Sequence, residues 1–222
     1  STLKSLSGQA DVTIKKGDAF AKGSLQGDYD HSATKFDGSG SVEVIKNQDV
    51  GAAYPGGKAI LKEGSGASGE VENTELKSLS VSIPVQIDDD EAGVNFAEME
   101  LQGTYDHAST TFDGTASATV NKEKEVGTAG DFTVKLMPGT GAAATVATNE
   151  LTEISGTVNM QADTAGEGFA SAELSGSWTK GEGMNGTGTA TLLVEEYEVA
   201  TLGTFKVYVI QGAGAEMTVT NN

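Results

Sequence analysis

The sequence predicts an all-β protein made of three tandem repeats of about 75 residues, each with about five mostly antiparallel strands. Three observations predict it. Apolar and polar residues alternate almost throughout, which is the period of a strand and not of a helix. One stretch recurs: LQGDYDHSATKFDGSGSVEV from Leu25, LQGTYDHASTTFDGTASATV from Leu101 and, more loosely, LSGSWTKGEGMNGTGTATL from Leu174. Helix signals are nearly absent, the short EEYE before Val199 being the strongest.

The first repeat opens with three strands. Leu6, Gly8, Ala10, Val12 and Ile14 share one face; Ala21, Gly23, Leu25, Gly27 and Tyr29 share the next; Phe36, Gly38, Gly40, Val42 and Val44 share a third. Turn-like KKGD and DHSATK separate them. Antiparallel partners keep a constant sum of residue numbers, so the register can be tested. Tyr29 opposite Phe36 sets Gly27 against Gly38 and Leu25 against Gly40; Leu6 opposite Tyr29 sets Ala10 against Leu25 and Val12 against Gly23. Large residues thus tend to face glycine or alanine across the ladder, which pins the register.

The same scheme fits the later copies. Tyr105 faces Phe112, Val81 faces Gly103 and Ile83 faces Leu101; in the third copy Trp178 faces Met184 and Leu174 faces Gly188, with a turn one residue shorter. Each repeat then closes on a second motif, from Val50, Val126 and Val199, which reads as two short strands around a glycine-rich turn. The expected units are residues 1–75, 76–150 and 151–222, with no Pro- or Ser-rich linker between them. Two arrangements fit: an elongated β-repeat stack with shared edges, or three small β-sandwich beads. The missing linkers and a face rich in Gly and Ala favour the stack.

Composition restricts partners and chemistry. The net charge of −18, with 14 basic residues and all of them lysine, disfavours nucleic acid and anionic membrane surfaces. It fits a soluble, self-repelling surface, of the kind that meets divalent cations outside a cell. No apolar run approaches the roughly 18 to 20 residues of a spanning helix, so membrane insertion is not expected. The STLKSLSG start shows no signal-peptide pattern. Cysteine is absent, so disulfides and thiolate metal sites are excluded.

Few residues offer chemistry. His31 and His107, the only histidines, follow Tyr-Asp at the same hairpin tip, where the third copy has Thr179 and Lys180. Asp30, His31, Asp106 and His107 would need both tips to meet before a metal-assisted hydrolase became plausible. As polar turn residues they need no such role. Asp37 and Asp113 follow the Phe of FDG on the polar face, with Asn185 in the third copy. The run Asp88, Asp89, Asp90 and Glu91 is the best cation candidate, and calcium its natural occupant. It lacks the spacing of a calcium-binding helix–loop–helix, and a solvated loop is its ordinary explanation. GSGASGE, GTGAAAT and GAGAEMT recur as hairpin turns without the Gly-Lys-Ser/Thr of a phosphate loop. Tyr29, Phe36, Tyr105, Phe112 and Trp178 fall on the apolar face, where core packing is expected and not an exposed sugar-stacking platform.

No catalytic cluster emerges, and the expectation is a non-enzyme. The tandem layout is similar to repeat arrays of large bacterial surface, adhesin or exported toxin proteins, a likeness of layout that carries no function by itself. The expected role is a structural or interaction segment acting as scaffold, spacer or shell. It would be extracellular or at the cell surface, and its partners would be protein or neighbouring repeats. The alternative is a carbohydrate- or calcium-dependent binding module.

Overall fold

Eighteen strands and no helix account for the residues that the computed structural model describes, 4–54, 57–89, 94–202 and 204–220. Residues 1–75 hold β1 (Ser5–Lys16), β2 (Asp18–Asp30), β3 (Lys35–Val44), β4 (Gln48–Tyr54), β5 (Gly57–Leu61) and β6 (Gly66–Glu72). Residues 75–147 hold β7 (Glu75–Asp88), β8 (Asn95–Asp106), β9 (Thr111–Val120), β10 (Lys124–Ala129), β11 (Phe132–Leu136) and β12 (Gly141–Ala147). The rest hold β13 (Glu150–Thr164), β14 (Glu167–Thr179), β15 (Gly183–Leu192), β16 (Glu196–Leu202), β17 (Phe205–Ile210) and β18 (Gly214–Val219). Where about five strands were expected in each of these stretches the structure has six, the closing motif running as three strands.

Sixteen strands form one antiparallel sheet, and β16–β17 form a second of two strands. The main path runs β1-β2-β3-β6-β7-β8-β9-β12-β13-β14-β15-β18. Side hairpins β4–β5 and β10–β11 join it because β5 pairs with β7 and β11 with β13. A continuous sheet overturns the alternative of three separate β-sandwich beads. The reason is the missing linker: β6 turns directly into β7, and one two-residue turn leaves the new strand hydrogen-bonded to the old. By contact the chain divides into two compact units, Ser1–Ser117 with Ala144–Thr152, and Ala118–Ala143 with Glu153–Asn222.

In the first unit the sum rule holds residue by residue. Leu6 pairs with Tyr29, Ala10 with Leu25, Tyr29 with Phe36 and Leu25 with Gly40; Val81 pairs with Gly103 and Ile83 with Leu101. In the second, Leu174 pairs with Gly188 and Trp178 with Met184, around the shorter turn. Unforeseen is a register shift at the far end of each opening strand, between Ile14 and Lys15, Ile87 and Asp88, and Ala162 and Asp163. A bulge adds one residue to one strand, so a constant sum fails beyond it.

Leucine meets glycine across the ladder as expected: a Cβ on Gly40 would lie 2.7 Å from Leu25 Cδ2, and one on Gly188 2.7 Å from Leu174 Cδ2. Phe36, by contrast, reaches glycines that are not its ladder partners. A Cβ on Gly27 would lie 2.3 Å from Phe36 Cζ, and one on Gly103 would lie 2.5 Å from Phe112 Cζ. The far atoms of each ring, Cζ and the two Cε, reach both glycines of the pair, Gly27 and Gly38 for Phe36, Gly103 and Gly114 for Phe112. The expectation that this face is a covered core fails, however. Among the described residues only Ala21, Val44, Ile87 and Ala97 are buried apolar side chains, while Leu6 is 60% and Leu25 56% exposed. Tyr29, Tyr105, Phe112 and Trp178 are half-buried, and Phe36 is exposed. Contacts between neighbouring strands therefore give the described side chains of this sheet only partial cover.

Candidate functional site

The acidic run sits where β7 ends. Asp88 closes that strand, is 8% exposed, and accepts a hydrogen bond from Gln86 Nε2 at 2.5 Å. The Asp89 amide donates to Val94 O at 3.1 Å. Asp90 and Glu91 lie outside the described residues. Among the described residues no group of three His, Asp or Glu side chains is placed to hold a metal ion.

A second buried acid, not singled out in the sequence, occupies the matching place on β13. Asp163 is 3% exposed; it accepts from Gln161 Nε2 at 2.7 Å and pairs with Lys135 Nζ at 2.7 Å. The Lys135 ammonium first, and the Gln161 amide second, hold its carboxyl below the usual range. The same contact raises Lys135. The two sites share the spacing Gln-x-Asp, as QID at 86–88 and QAD at 161–163, but the same spacing at 9–11 and 26–28 carries exposed aspartates and so does not single them out. The Lys135–Asp163 pair ties β11 to β13; in the first unit Lys58 lies opposite Asp88 in the ladder, and Lys62 Nζ donates to Gln86 Oε1 at 2.9 Å.

The histidine tips are turns tied by their own aspartates. Asp30 Oδ1 accepts from Ser32 N (2.7 Å), Ser32 Oγ (2.6 Å) and Ala33 N (3.2 Å), and the Ser32 hydroxyl leads in lowering its pKa. Asp106 Oδ1 accepts from Ala108 N (2.8 Å) and Ser109 N (3.2 Å). These are Asx turns, in which a short carboxylate replaces a backbone carbonyl. His107 Nδ1 lies 3.3 Å from Tyr105 Oη. The order β2-β3-β6-β7-β8 puts the two tips four strand spacings apart, about 19 Å at ordinary sheet geometry. No metal ion bridges that distance, so the structure does not bring Asp30, His31, Asp106 and His107 together.

Asp37 and Asp113 have the same occupation at the opposite side of the hairpin. Asp37 Oδ1 accepts from Asn73 N at 2.5 Å, and Asp113 Oδ1 from Thr148 N at 2.7 Å. In return Phe36 N donates to Thr74 Oγ1 (3.0 Å), and Phe112 N to Asn149 Oδ1 (2.7 Å). Asn73, Thr74, Thr148 and Asn149 all have positive φ, from 53° to 71°, as a two-residue hairpin turn of this hand requires. The FDG carboxylates thus steady backbone that would otherwise be strained.

The glycine-rich turns contain a further pair that sequence reading missed. Ser65 Oγ donates to Lys62 O (2.7 Å) and to Pro84 O on β7 (3.2 Å). Thr140 Oγ1 donates to Asn159 O on β13 (3.1 Å) and accepts from Asn159 N (2.9 Å). Both residues are buried, and both follow a Gly in KEGS and MPGT. They fasten the corner to the next opening strand. In the second unit Phe169 stacks between Phe132 (4.7 Å between ring centroids) and Tyr197 (4.9 Å, edge-on). This cluster joins the side hairpins to β14 and is structural.

The glycines also leave open depressions on the first unit. The apolar one, about 530 Å³, lies over Gly8, Gly27 and Gly38 between Leu6, Leu25 and Phe36. It gathers no converging acid, base or nucleophile; its polar counterpart is lined by Asp28 and its ladder partner Asp37, and Asp37 is engaged by Asn73 N. Among the described residues no helix is long and apolar enough to cross a membrane. Comparison with family models, with curated proteins and with solved structures finds no match.

Proposed function

We propose that the chain is a non-catalytic structural segment, built from three copies of a six-stranded unit over residues 1–75, 76–150 and 151–222, and serving as scaffold, spacer or shell in a larger exported or cell-surface protein. One observation carries this reading: the polar side chains that catalysis or metal binding would use are occupied in holding turns and strand junctions. Asp30 and Asp106 cap hairpin tips, Asp37 and Asp113 cap the turns beside them, and Asp163 fastens a side hairpin. The pairing order supports the three copies. A meander of three strands, a fourth on its edge and a side hairpin describe β1–β6, and the same description covers β7–β12 and β13–β18.

Calorimetric titration with calcium, together with a glycan-array screen, tests it. The reading expects no saturable heat and no glycan retained. A saturating calcium isotherm that Asp88→Asn abolishes would replace it with the cation-dependent binding module, and Asp88 with its neighbours Asp89, Asp90 and Glu91 would then be the site.

A further inference from the structure

Inside the chain each closing strand receives the opening strand of the next unit. β7 lies along β6 by its first half, with Ser80 opposite Ser68, and along β5 by its second, with Ile87 opposite Ala59. β13 likewise has both β12 and β11 as partners. Two edges lack such a partner among the described residues. β1 pairs with β2 alone; β18 pairs with β15 alone, and β17 with β16 alone. The consequence shows at one residue: Ile14, just before the bulge of β1, is 42% exposed, whereas Ile87, just before the bulge of β7, is 9% exposed.

From these edges, and resting on the three-unit reading above, we propose that two copies of this chain join head to tail, β1 of one copy adding to β18 and β17 of the other. The occupant is identified by the chain itself. Leu3 to Ser7 reads LKSLS, and so does Leu76 to Ser80, the segment of β7 that lies on β6. Transferring the internal register sets Met217 opposite Leu6 and Glu216 opposite Ser7. It also sets Val209 opposite Val12 and Val207 opposite Ile14, so the exposed apolar residues of both edges meet.

The hydrogen-bonding groups agree independently. His31 N donates to Lys4 O, so by the alternation of an antiparallel ladder Leu6 and Gly8 bond to β2, and Ser5, Ser7 and Gln9 present their amides outward. Leu192 N donates to Ala213 O, so Ala215 and Met217 bond to β15, and Gly214, Glu216 and Thr218 face outward. Every outward group of one edge then meets an outward group of the other. This is strand addition with a strand the protein already uses internally.

Two internal fastenings are missing from this joint, so it is weaker than the internal ones. Ala213 stands where Ser65 and Thr140 send a hydroxyl to the next strand. Lys15 stands where Asp88 and Asp163 stand, and the transferred register puts it opposite Lys206. The net charge of −18 also opposes contact between copies, so added salt strengthens association. An interface joining two different patches extends into chains of copies unless rotation closes it into a ring.

Sedimentation velocity of the full chain across concentration and salt tests the proposal, with Ser7→Pro and Glu216→Pro as variants. Each proline removes one outward amide, a change edge strands tolerate. The expected result is a mass that rises with concentration for the unaltered chain and stays at one copy for each variant. An equal mixture of the two variants stops at two copies, because one brings an intact β1 and the other an intact β18. An unaltered chain that stays at one copy throughout, variants that still associate, or a mixture that stays at one copy overturns the proposal. If circular dichroism shows that either proline unsettles the sheet, Lys15→Asp carries the test: association tightens severalfold, and no tightening is a refutation. The three-unit reading is tested separately by removing residues 76–150, a variant whose folding does not depend on association.

Discussion

Asp163 carries the clearest dependence on pH. Its carboxyl is held below the ordinary value by Lys135 and Gln161, so its contribution to stability is complete above its unfolded pKa of about 3.9 and disappears as pH falls through the lower folded value. Lys135 is raised, so its share is complete below its unfolded pKa of about 10.4 and is lost as pH rises through the folded one. Urea unfolding of Asp163→Asn should show lower stability at neutral pH and a flatter acid limb; an unchanged acid limb would show that the pair contributes nothing. The glycines give a second expectation. Gly27→Ala drives a methyl into the Phe36 ring and the Asp37 carbonyl, at a cost of about 1–3 kcal/mol, whereas Gly8→Ala meets nothing within 4 Å and should be neutral or slightly stabilising. Denaturant midpoints of the two variants check this, and equal midpoints would remove the role given to Phe36. Both glycines were visible in the sequence as small residues of the alternating face, Gly8 paired with Gly27 and Gly27 with Gly38. Which of them a ring covers was not, because alternation assigns a face and says nothing of which way Phe36 leans.

Strands were legible wherever a two-residue period ran uninterrupted, and so β1, β2 and β3 and their later counterparts were placed with their partners. The closing motif was misread by one strand because β4 and β5, which the structure separates, read by periodicity alone as one run. The bulges were invisible for a related reason: a sum rule can only describe a ladder without extra residues. The buried hydroxyls of Ser65 and Thr140 were hidden among glycines, where Ser and Thr read as ordinary turn residues. The acidic run shows the converse. DDDE drew attention by composition, yet Asp88 is engaged by Gln86, and the equally buried Asp163 has no acidic neighbours in sequence to announce it. A carboxylate inside a strand is found by its partners, and those come from other strands.

For the whole molecule, the sequence correctly implied a sheet and no helix, and it misjudged what covers it. Alternation sorts Leu, Val and Phe onto one face and Ser, Asp and Lys onto the other, but sorting does not create a second layer. Exposed edges and an exposed apolar face are places where a sheet meets other surfaces, and strand edges are the more specific because their hydrogen bonds fix register. The account stands or falls on the equivalence of the three units. Removing residues 76–150 joins Glu75 to Leu151 and asks β13 to take the place of β7 on β6 and β5. The measurement is urea unfolding followed by circular dichroism. The account predicts a β spectrum and one cooperative transition whose denaturant dependence falls to about two-thirds of the full chain's. A shortened chain without a cooperative transition would contradict it.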